Sequence, residues 1–380
     1  MKIDFDSLKL FRQSLHANPE VSGSEKHTAD SVLGYIKNFN PTKLITGLGG
    51  HGILATWDSG IPGPELMFRS ELDALPIREI NTFGYKSRIN GVSHKCGHDG
   101  HTTILCALAM YLSQAAPKKG KIHLLFQPAE ENGEGAAAVL ADKKFSLIKP
   151  DYVFALHNLP GFPIDQIVIK EGIFTAAVTS IIITLDGKTS HAAEPENGIN
   201  PALAVAEILK QSVLLEKNIP DDKDMSVVTP VFIELGEKAY GISAGHASVH
   251  LTIRCWNDEN LKSICNQIES LSSAIAVKQK LKISFDYTQT FHANNNHSSA
   301  TKYVRDAAVN SKMSVVEKPF PFKWGEDFGL FTAGFKGCMF GLGAGETVPA
   351  LHNPDYDFPD ELIKSGLTIF KAIINEFENS

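Results

Sequence analysis

Four short, predominantly apolar runs, at residues 52–57, 65–72, 121–127 and 152–158, limit what this chain can fold into more than any other feature. Runs of this length read as buried strands. Between the second and third lies 101–115, HTTILCALAMYLSQA, with the length and composition of a buried helix. Strands interleaved with helices predict an α/β class with a largely parallel sheet. Two helices are expected before the first strand. Phe5, Leu8, Leu10, Phe11 and Leu15 recur at roughly helical spacing ahead of Pro19, and a second helix covers about 25–39.

The pattern changes near residue 175. Strands are expected at 178–187, 225–236, 246–256 and 282–291, with helices at 200–215 and 260–280. That order, β-α-β-β-α-β, is the ferredoxin-like split-βαβ sandwich. After residue 292 the α/β pattern resumes. The expected organisation is a catalytic domain made of 1–174 and 292–380, interrupted by an α+β domain at 175–291. A length of 380 residues with 43% hydrophobic content supports two cores. No internal repeat or low-complexity tract competes with this reading.

Composition also excludes several partners. The chain carries 36 basic and 43 acidic residues, a net charge of -7, with no basic patch or tail. Nucleic acid and anionic membrane are therefore not expected ligands. No apolar run reaches the roughly 18 residues of a membrane span. The opening MKIDFDSLKLF alternates polar with apolar residues, unlike a secretory leader. Five scattered cysteines, an odd number, argue against a disulfide framework and for a reducing, cytoplasmic setting.

The chemistry-bearing residues cluster beside predicted strand ends. They are Glu71-Leu72-Asp73, His94 through His101 (HKCGHDGH), Glu130-Glu131, His157-Asn158 and His352-Asn353. Thiolate, imidazole and carboxylate are what a borderline-soft divalent metal takes. Taken singly, each has an ordinary explanation. His157 alone reads as a structural histidine, Cys96 as a packed thiol, and Glu130-Glu131 as acids opening a helix. Together, at the carboxyl ends of buried strands, they point to a site.

Three other matches carry less. Gly47-x-Gly49-x-x-Gly52 fits a dinucleotide fingerprint, but a strand follows where that motif needs a helix. Gly241-x-Ser243-x-Gly245 fits a nucleophile elbow, yet a strand again follows, so it reads as a turn. Trp324-Gly325-Glu326-Asp327-Phe328 either caps a helix or steadies a metal-site histidine from behind.

The stretches SELDALPI (70–77), GVSHKCGHDGHTT (91–103), FQPAEEN (126–132), LHNLP (156–160), SHAAEPENGINP (190–201), WGEDFG (324–329) and LHNPDYDFPDELI (351–363) together resemble the M20 peptidase family, in its aminoacylase/hippurate hydrolase and IAA-amino acid hydrolase-like branch. The match spans nearly the whole chain in order. The resemblance implies a zinc-peptidase-like mixed sheet with helices on both faces and an inserted lid or dimerisation domain. It implies two divalent metal ions per chain, of zinc, manganese, cobalt or nickel, held by Cys96, His98, Glu131, His157 and His352. It further implies Glu130 as general base, Asp73 as the acid orienting a ligand, and His191 as the lid histidine that steadies an oxyanion. The implied activity is hydrolysis of N-acyl amino acids by a homodimer. A dipeptidase, or a silent binding relative that keeps the fold, would share these motifs, and a serine hydrolase using Ser243 is the most distant alternative. Two departures stand out: Glu71 replaces the family's usual aspartate, and Gly241–Gly245 replaces the usual lid turn.

Overall fold

The structure is a computed structural model and describes residues 3–379. It divides into two compact units, each treated by itself. The first takes Met1–Phe174, Asn294–Pro319 and Glu326–Ser380; the second takes Thr175–Ala293 and Phe320–Gly325.

In chain order the first unit opens with helices α1 (Phe5–Ala17) and α2 (Lys26–Ile36) and strands β1 (Lys43–Leu48), β2 (Gly52–Asp58) and β3 (Glu65–Glu71). Then come α3 (His98–Gln114), β4 (Lys121–Gln127), α4 (Gly135–Ala141), β5 (Tyr152–Pro160), β6 (Ile167–Ile169) and β7 (Gly172–Thr175). The second unit contributes β8 (Ala177–Asp186), β9 (Ser190–His191), α5 (Ala202–Val213), β10 (Ser226–Leu235), β11 (Ile242–Ser243), β12 (His246–Cys255), α6 (Asp258–Lys278) and β13 (Lys282–Phe291). The chain returns through β14 (Asn294–Asn296), α7 (Ser298–Asn310), β15 (Val315–Glu317), α8 (Gly329–Gly334), β16 (Lys336–Gly345) and α9 (Leu362–Asn379).

The first unit is built on an eight-stranded sheet of order β1-β2-β4-β3-β5-β16-β6-β15. Its centre, β4-β3-β5-β16, is parallel, whereas β1, β2 and the β16–β6 contact are antiparallel. The sheet is thus mixed rather than largely parallel. The difference arises because β1 and β2 form a hairpin, which needs only a short turn, while parallel neighbours need a crossover.

Alternation along each strand decides which face a residue serves. Leu66 and Phe68 of β3 and Ile122, Leu124 and Phe126 of β4 enter one core, packed under α1, α2, α3, α7 and α9. There the rings of Phe68 and Phe370 lie 4.9 Å apart, and those of Phe68 and Phe154 5.7 Å. Met67, Arg69, Leu125 and Gln127 point the other way, towards the short helices α4 and α8. Helices therefore cover both faces. The long α3 is buried along almost its whole length, which explains why it carries alanine, leucine and isoleucine on every side.

The second unit is a four-stranded antiparallel sheet of order β10-β12-β8-β13 with α5 and α6 on one face. Strand β12 alternates strictly, with Ala247, Val249, Leu251, Ile253 and Cys255 buried. This is the ferredoxin-like arrangement that the β-α-β-β-α-β order requires. Residues 320–325 join this unit through hydrogen bonds to their main-chain carbonyls: Ala176 N–H donates to Phe322 O, and the Arg254 guanidinium donates to Lys323 O. Such long-range pairing leaves no periodic trace in the sequence.

Candidate metal centre

Because β4, β3, β5 and β16 are adjacent and parallel, their carboxyl ends open at one edge of the sheet. Each delivers a part of the site there. The chain leaving β3 presents Asp73, the turn after β4 presents Glu130 and Glu131, β5 carries His157 near its end, and the segment after β16 returns His352. Cys96 and His98 come from the loop entering α3. That helix starts at His98, three residues earlier than its apolar run suggests, so the metal loop feeds straight into its first turn. Gly97 makes this entry with φ +102°, and a Cβ there would lie 2.6 Å from Asn158 Oδ1. The position thus requires glycine for both backbone and space.

The donor atoms converge. Cys96, His98 and His157 place one ligand atom each within 4.8 Å of one another, as do Cys96, Glu131 and His352, and His98, Glu130 and Glu131. Cys96 Sγ lies 3.4 Å from His157 Nε2, and His352 Nε2 lies 3.8 Å from Glu131 Oε2. Hydrogen bonds to main-chain carbonyls fix the histidine tautomers. His98 Nδ1–H donates to Asp73 O at 3.0 Å, and His157 Nδ1–H donates to Asn158 O at 2.9 Å. A carbonyl can only accept, so Nδ1 carries a proton in both rings and Nε2 is the nitrogen left to face the cleft. His101 differs: Nδ1 donates to Glu71 Oε2 at 2.8 Å, and Nε2 lies 2.5 Å from Asn158 Oδ1 and 3.2 Å from Asn158 N, so both nitrogens are engaged. Of the two histidines in CGHDGH, only His98 is open to the cleft.

The residues present fit a pair of divalent cations. His98 Nε2 and Glu131 Oε1 are buried and have no hydrogen-bond partner among the protein atoms, a costly state that a bound cation would relieve. The electrostatics agree. Burial, reinforced by the Glu131 and Glu130 charges, pushes the Cys96 thiol well up. Burial together with Glu326 and Glu131 pushes Glu130 far above the carboxylate range, and burial carries Glu131 to about 7 against the pull of His98. His98 itself is lifted to about 10, because Asp73, Glu71 and Glu131 outweigh its burial. Burial drops His157 to about 3. The pocket concentrates negative charge that protons or a metal must neutralise.

Two of the alternative readings left open by the sequence drop out. Glu130-Glu131 do not open a helix. They sit in a tight turn after Pro128, entered by Ala129 at φ +52°, with Gly133 N–H donating to Glu130 O and Gly135 N–H donating to Ala129 O. Glu326 and Asp327 do not steady a histidine; both meet the buried Arg69 guanidinium, at 2.9 and 2.6 Å, and Asp327 also accepts from Gln127 and Ala136. Arg69 pairs in addition with Glu71, which in turn holds His101. The longer side chain at position 71 thereby spans from β3 to α3. Arg69 and Gln127 lie outside the clusters that the sequence points to, although a polar side chain within an apolar strand is the signal that marks both.

Asp73 accepts from Glu131 N–H at 2.9 Å and from the Ser22 hydroxyl at 2.7 Å through Oδ2, with Oδ1 3.4 Å from His98 Nδ1. His191 belongs to the second unit. It lies exposed on β9, paired with Ile242 of β11, and its Nδ1 accepts from Ala193 N–H.

A family model for peptidase family M20/M25/M40 matches residues 67–376, which include the ligand cluster just described. The chain belongs to this family. Among M20 relatives, it is 29% identical over 374 residues to the N-acetyldiaminopimelate deacetylase of Lactobacillus helveticus, covering 96% of this chain and 95% of that one. It is likewise 29% identical over 365 residues to the hippurate hydrolase of Campylobacter jejuni, covering 95% and 94%. The fold also matches the crystal structure of a dinuclear metal-binding M20 peptidase from Bacillus subtilis, with a TM-score of 0.82, 24% identity and 99% coverage of both chains.

Proposed function

We propose that this M20 chain is a metal-dependent amidohydrolase that cleaves the amide bond of N-acyl amino acids. One observation carries the reading. Fixed tautomers aim His98 Nε2 and His157 Nε2 at a cleft shared with Cys96, Glu131 and His352, and the carboxylate of Glu130 stands beside it. Two of the three donor triads share Cys96 and the third shares His98 and Glu131 with them, so Cys96, His98, Glu131, His157 and His352 would together hold a pair of cations. The relatives, a deacetylase of one N-acetyl amino acid and a hydrolase of hippurate, support the substrate class.

Bound divalent ions supply Lewis acidity, lowering the pKa of a water to about 7 and polarising the amide carbonyl. The protein's own groups do the rest. Glu130 takes a proton from the attacking water and delivers it to the leaving nitrogen. Burial, with Glu326, Glu131 and Asp327 close by, raises its affinity for that proton, while cations held beside it would offset this and keep the carboxylate ionised as the base. Asp73 orients His98 and fixes the Glu131 amide. His191 donates a hydrogen bond to the developing oxyanion. In the second unit, edge strand β10 exposes Val231, Phe232, Ile233 and Leu235, which supports a homodimer formed through that domain. No helix among the described residues is long and apolar enough to cross a membrane. The five cysteines are all free and buried, which suits a reducing cytoplasm.

The test is elemental analysis of the purified protein together with amino-acid release from a panel of N-acetyl, N-benzoyl and dipeptide substrates, before and after chelation. Two ions per chain, chelator-sensitive release from acylated amino acids, and sedimentation at twice the chain mass are expected. Metal-free protein that turns over nothing under metal-replete conditions refutes the reading; preference for dipeptides moves it to a dipeptidase.

A further inference from the structure

Glu25 stands outside the ligand set and outside every motif that marks the family in this chain, yet it is completely buried. It occupies the N-cap position of α2, where a side-chain oxygen would ordinarily accept from the first-turn amides. Here it makes no such bond. Glu20 does that work instead, accepting from both the amide and the hydroxyl of Thr28. Relieved of capping, the Glu25 carboxylate turns inward. Its Oε1 accepts from Gly23 N–H at 2.7 Å and, a hundred residues along the chain, from Ala129 N–H at 2.8 Å.

Ala129 is the residue that sets the direction of the turn carrying Glu130 and Glu131. Its φ of +52° lies in the left-handed region that a Cβ disfavours, so the turn persists only if its surroundings hold it. The holding points can be enumerated. Gly133 and Gly135 close the turn onto the carbonyls of Glu130 and Ala129. Gly135 must be glycine, since a Cβ would come within 1.7 Å of Pro128 O. Asp73 Oδ2 takes the Glu131 amide. The Ala129 amide goes to Glu25 alone among the hydrogen bonds described for it. Two carboxylates thus grip alternate amides of one strained turn, and they are linked behind it, because Ser22, three residues before Glu25, donates to Asp73.

We infer that Glu25 is a positioning residue: by accepting the Ala129 amide it holds the left-handed turn that sends the Glu130 and Glu131 side chains to different tasks. This deepens the amidohydrolase reading and rests on it for the role of Glu130. Adjacent residues in a regular strand or helix diverge by a set angle; here the divergence depends on one backbone conformation, and Glu25 is the group that secures its first amide.

The experiment compares metal-loaded wild type with Glu25→Gln, Glu25→Met and the double variant Glu25→Met/Ala129→Gly. Glutamine keeps an oxygen acceptor, methionine keeps volume without one, and glycine accepts φ +52° without strain. Expected results are a kcat within about threefold of wild type for Glu25→Gln and a fall of about 10- to 100-fold for Glu25→Met with KM nearly unchanged, the scale of a small misplacement of a reacting group. Most of the loss should return in the double variant. Site-resolved hydrogen exchange should show the Ala129 amide protected in wild type and in Glu25→Gln, and fast-exchanging in Glu25→Met. A Glu25→Met protein with wild-type kcat, or a wild-type Ala129 amide that exchanges at the unprotected rate, overturns the inference. The second readout stands even if Glu25→Met does not fold. Failure of wild type to hydrolyse any acylated amino acid would instead remove the amidohydrolase reading, leaving the exchange data to judge the turn.

Discussion

At the scale of single residues, what distinguishes this site is how each side chain is denied its alternatives. Two histidines are tied by Nδ1 to main-chain carbonyls and therefore offer Nε2, while His101 has both nitrogens committed. Residue types placed Cys96 and His98 in a candidate metal cluster and the family resemblance implied them as ligands, but the tautomers follow only from carbonyls that the fold brings up from Asp73 and Asn158. Glu130 and Glu131 are the sharper case. The sequence shows two adjacent glutamates and leaves helix start and active site as competing readings; a positive φ at Ala129 separates them. Glu130→Gln is expected to keep both metal ions and lower kcat at least 100-fold, because the amide cannot take up the water's proton. His191→Ala should lower kcat by about 10- to 1,000-fold, again with metal retained, as loss of an oxyanion donor does. Metal analysis and steady-state kinetics on the same samples check both, and wild-type rates from either variant would withdraw that residue's role.

At the scale of elements, α3 links the site to the core. Its first turn carries His98 and its body packs against α1, α9 and the sheet. Gly100 lies in that first turn, where a Cβ would come within 2.4–2.5 Å of three atoms of the buried Phe358 ring. Two effects oppose each other in Gly100→Ala. Alanine is the better helix former by about 1 kcal/mol. Overpacking a closed site costs about 1–3 kcal/mol, and Phe358, enclosed on all sides, has little room to move. The steric effect should win, giving net destabilisation of about 1–2 kcal/mol in denaturant titration of the metal-loaded protein; a stabilised variant would show that the helix and the 351–358 segment are less tightly engaged than the contact implies. The elements themselves were legible where periodicity is strong. The strands at 121–127 and 282–291 appear where their patterns predict, as do the helices of the second unit. Shorter pieces such as β6, β14 and β15 were not, since three residues cannot display a period and their pairing is decided by distant partners.

At the scale of the whole molecule, a buried ionic network in the first unit ties the N-terminal helix to the metal loop and to the chain that returns His352. Arg12 meets Asp99, Asp357 and Asp360, while His16 lies between Asp99 at 2.8 Å and Glu79 at 3.1 Å. Lys95 donates to Glu79 and to Tyr356 O, and its own carbonyl accepts from His352 N–H. Burial alone would lower the His16 pKa, but the hydrogen bonds to Asp99 and Glu79 raise it to about 9. A group whose folded pKa exceeds its unfolded value stabilises fully below the unfolded pKa and stops doing so as pH rises through the folded one. His16 should therefore contribute on the order of 3 kcal/mol at most below about pH 6.5, declining to nothing above about pH 9. Thermal unfolding across that range should show the decline in wild type and a flatter profile in His16→Gln; equal slopes would assign the effect elsewhere. From sequence alone came the class of fold, the interruption by a second α+β unit, and the kinds of donor atoms, because hydrophobic period and residue type are local properties. Which amide each carboxylate grips, which histidine nitrogen faces the cleft, and how residues 320–325 join the second unit were decided by tertiary structure. Each depends on atoms brought together from distant parts of the chain, and such contacts have no period for a sequence to display.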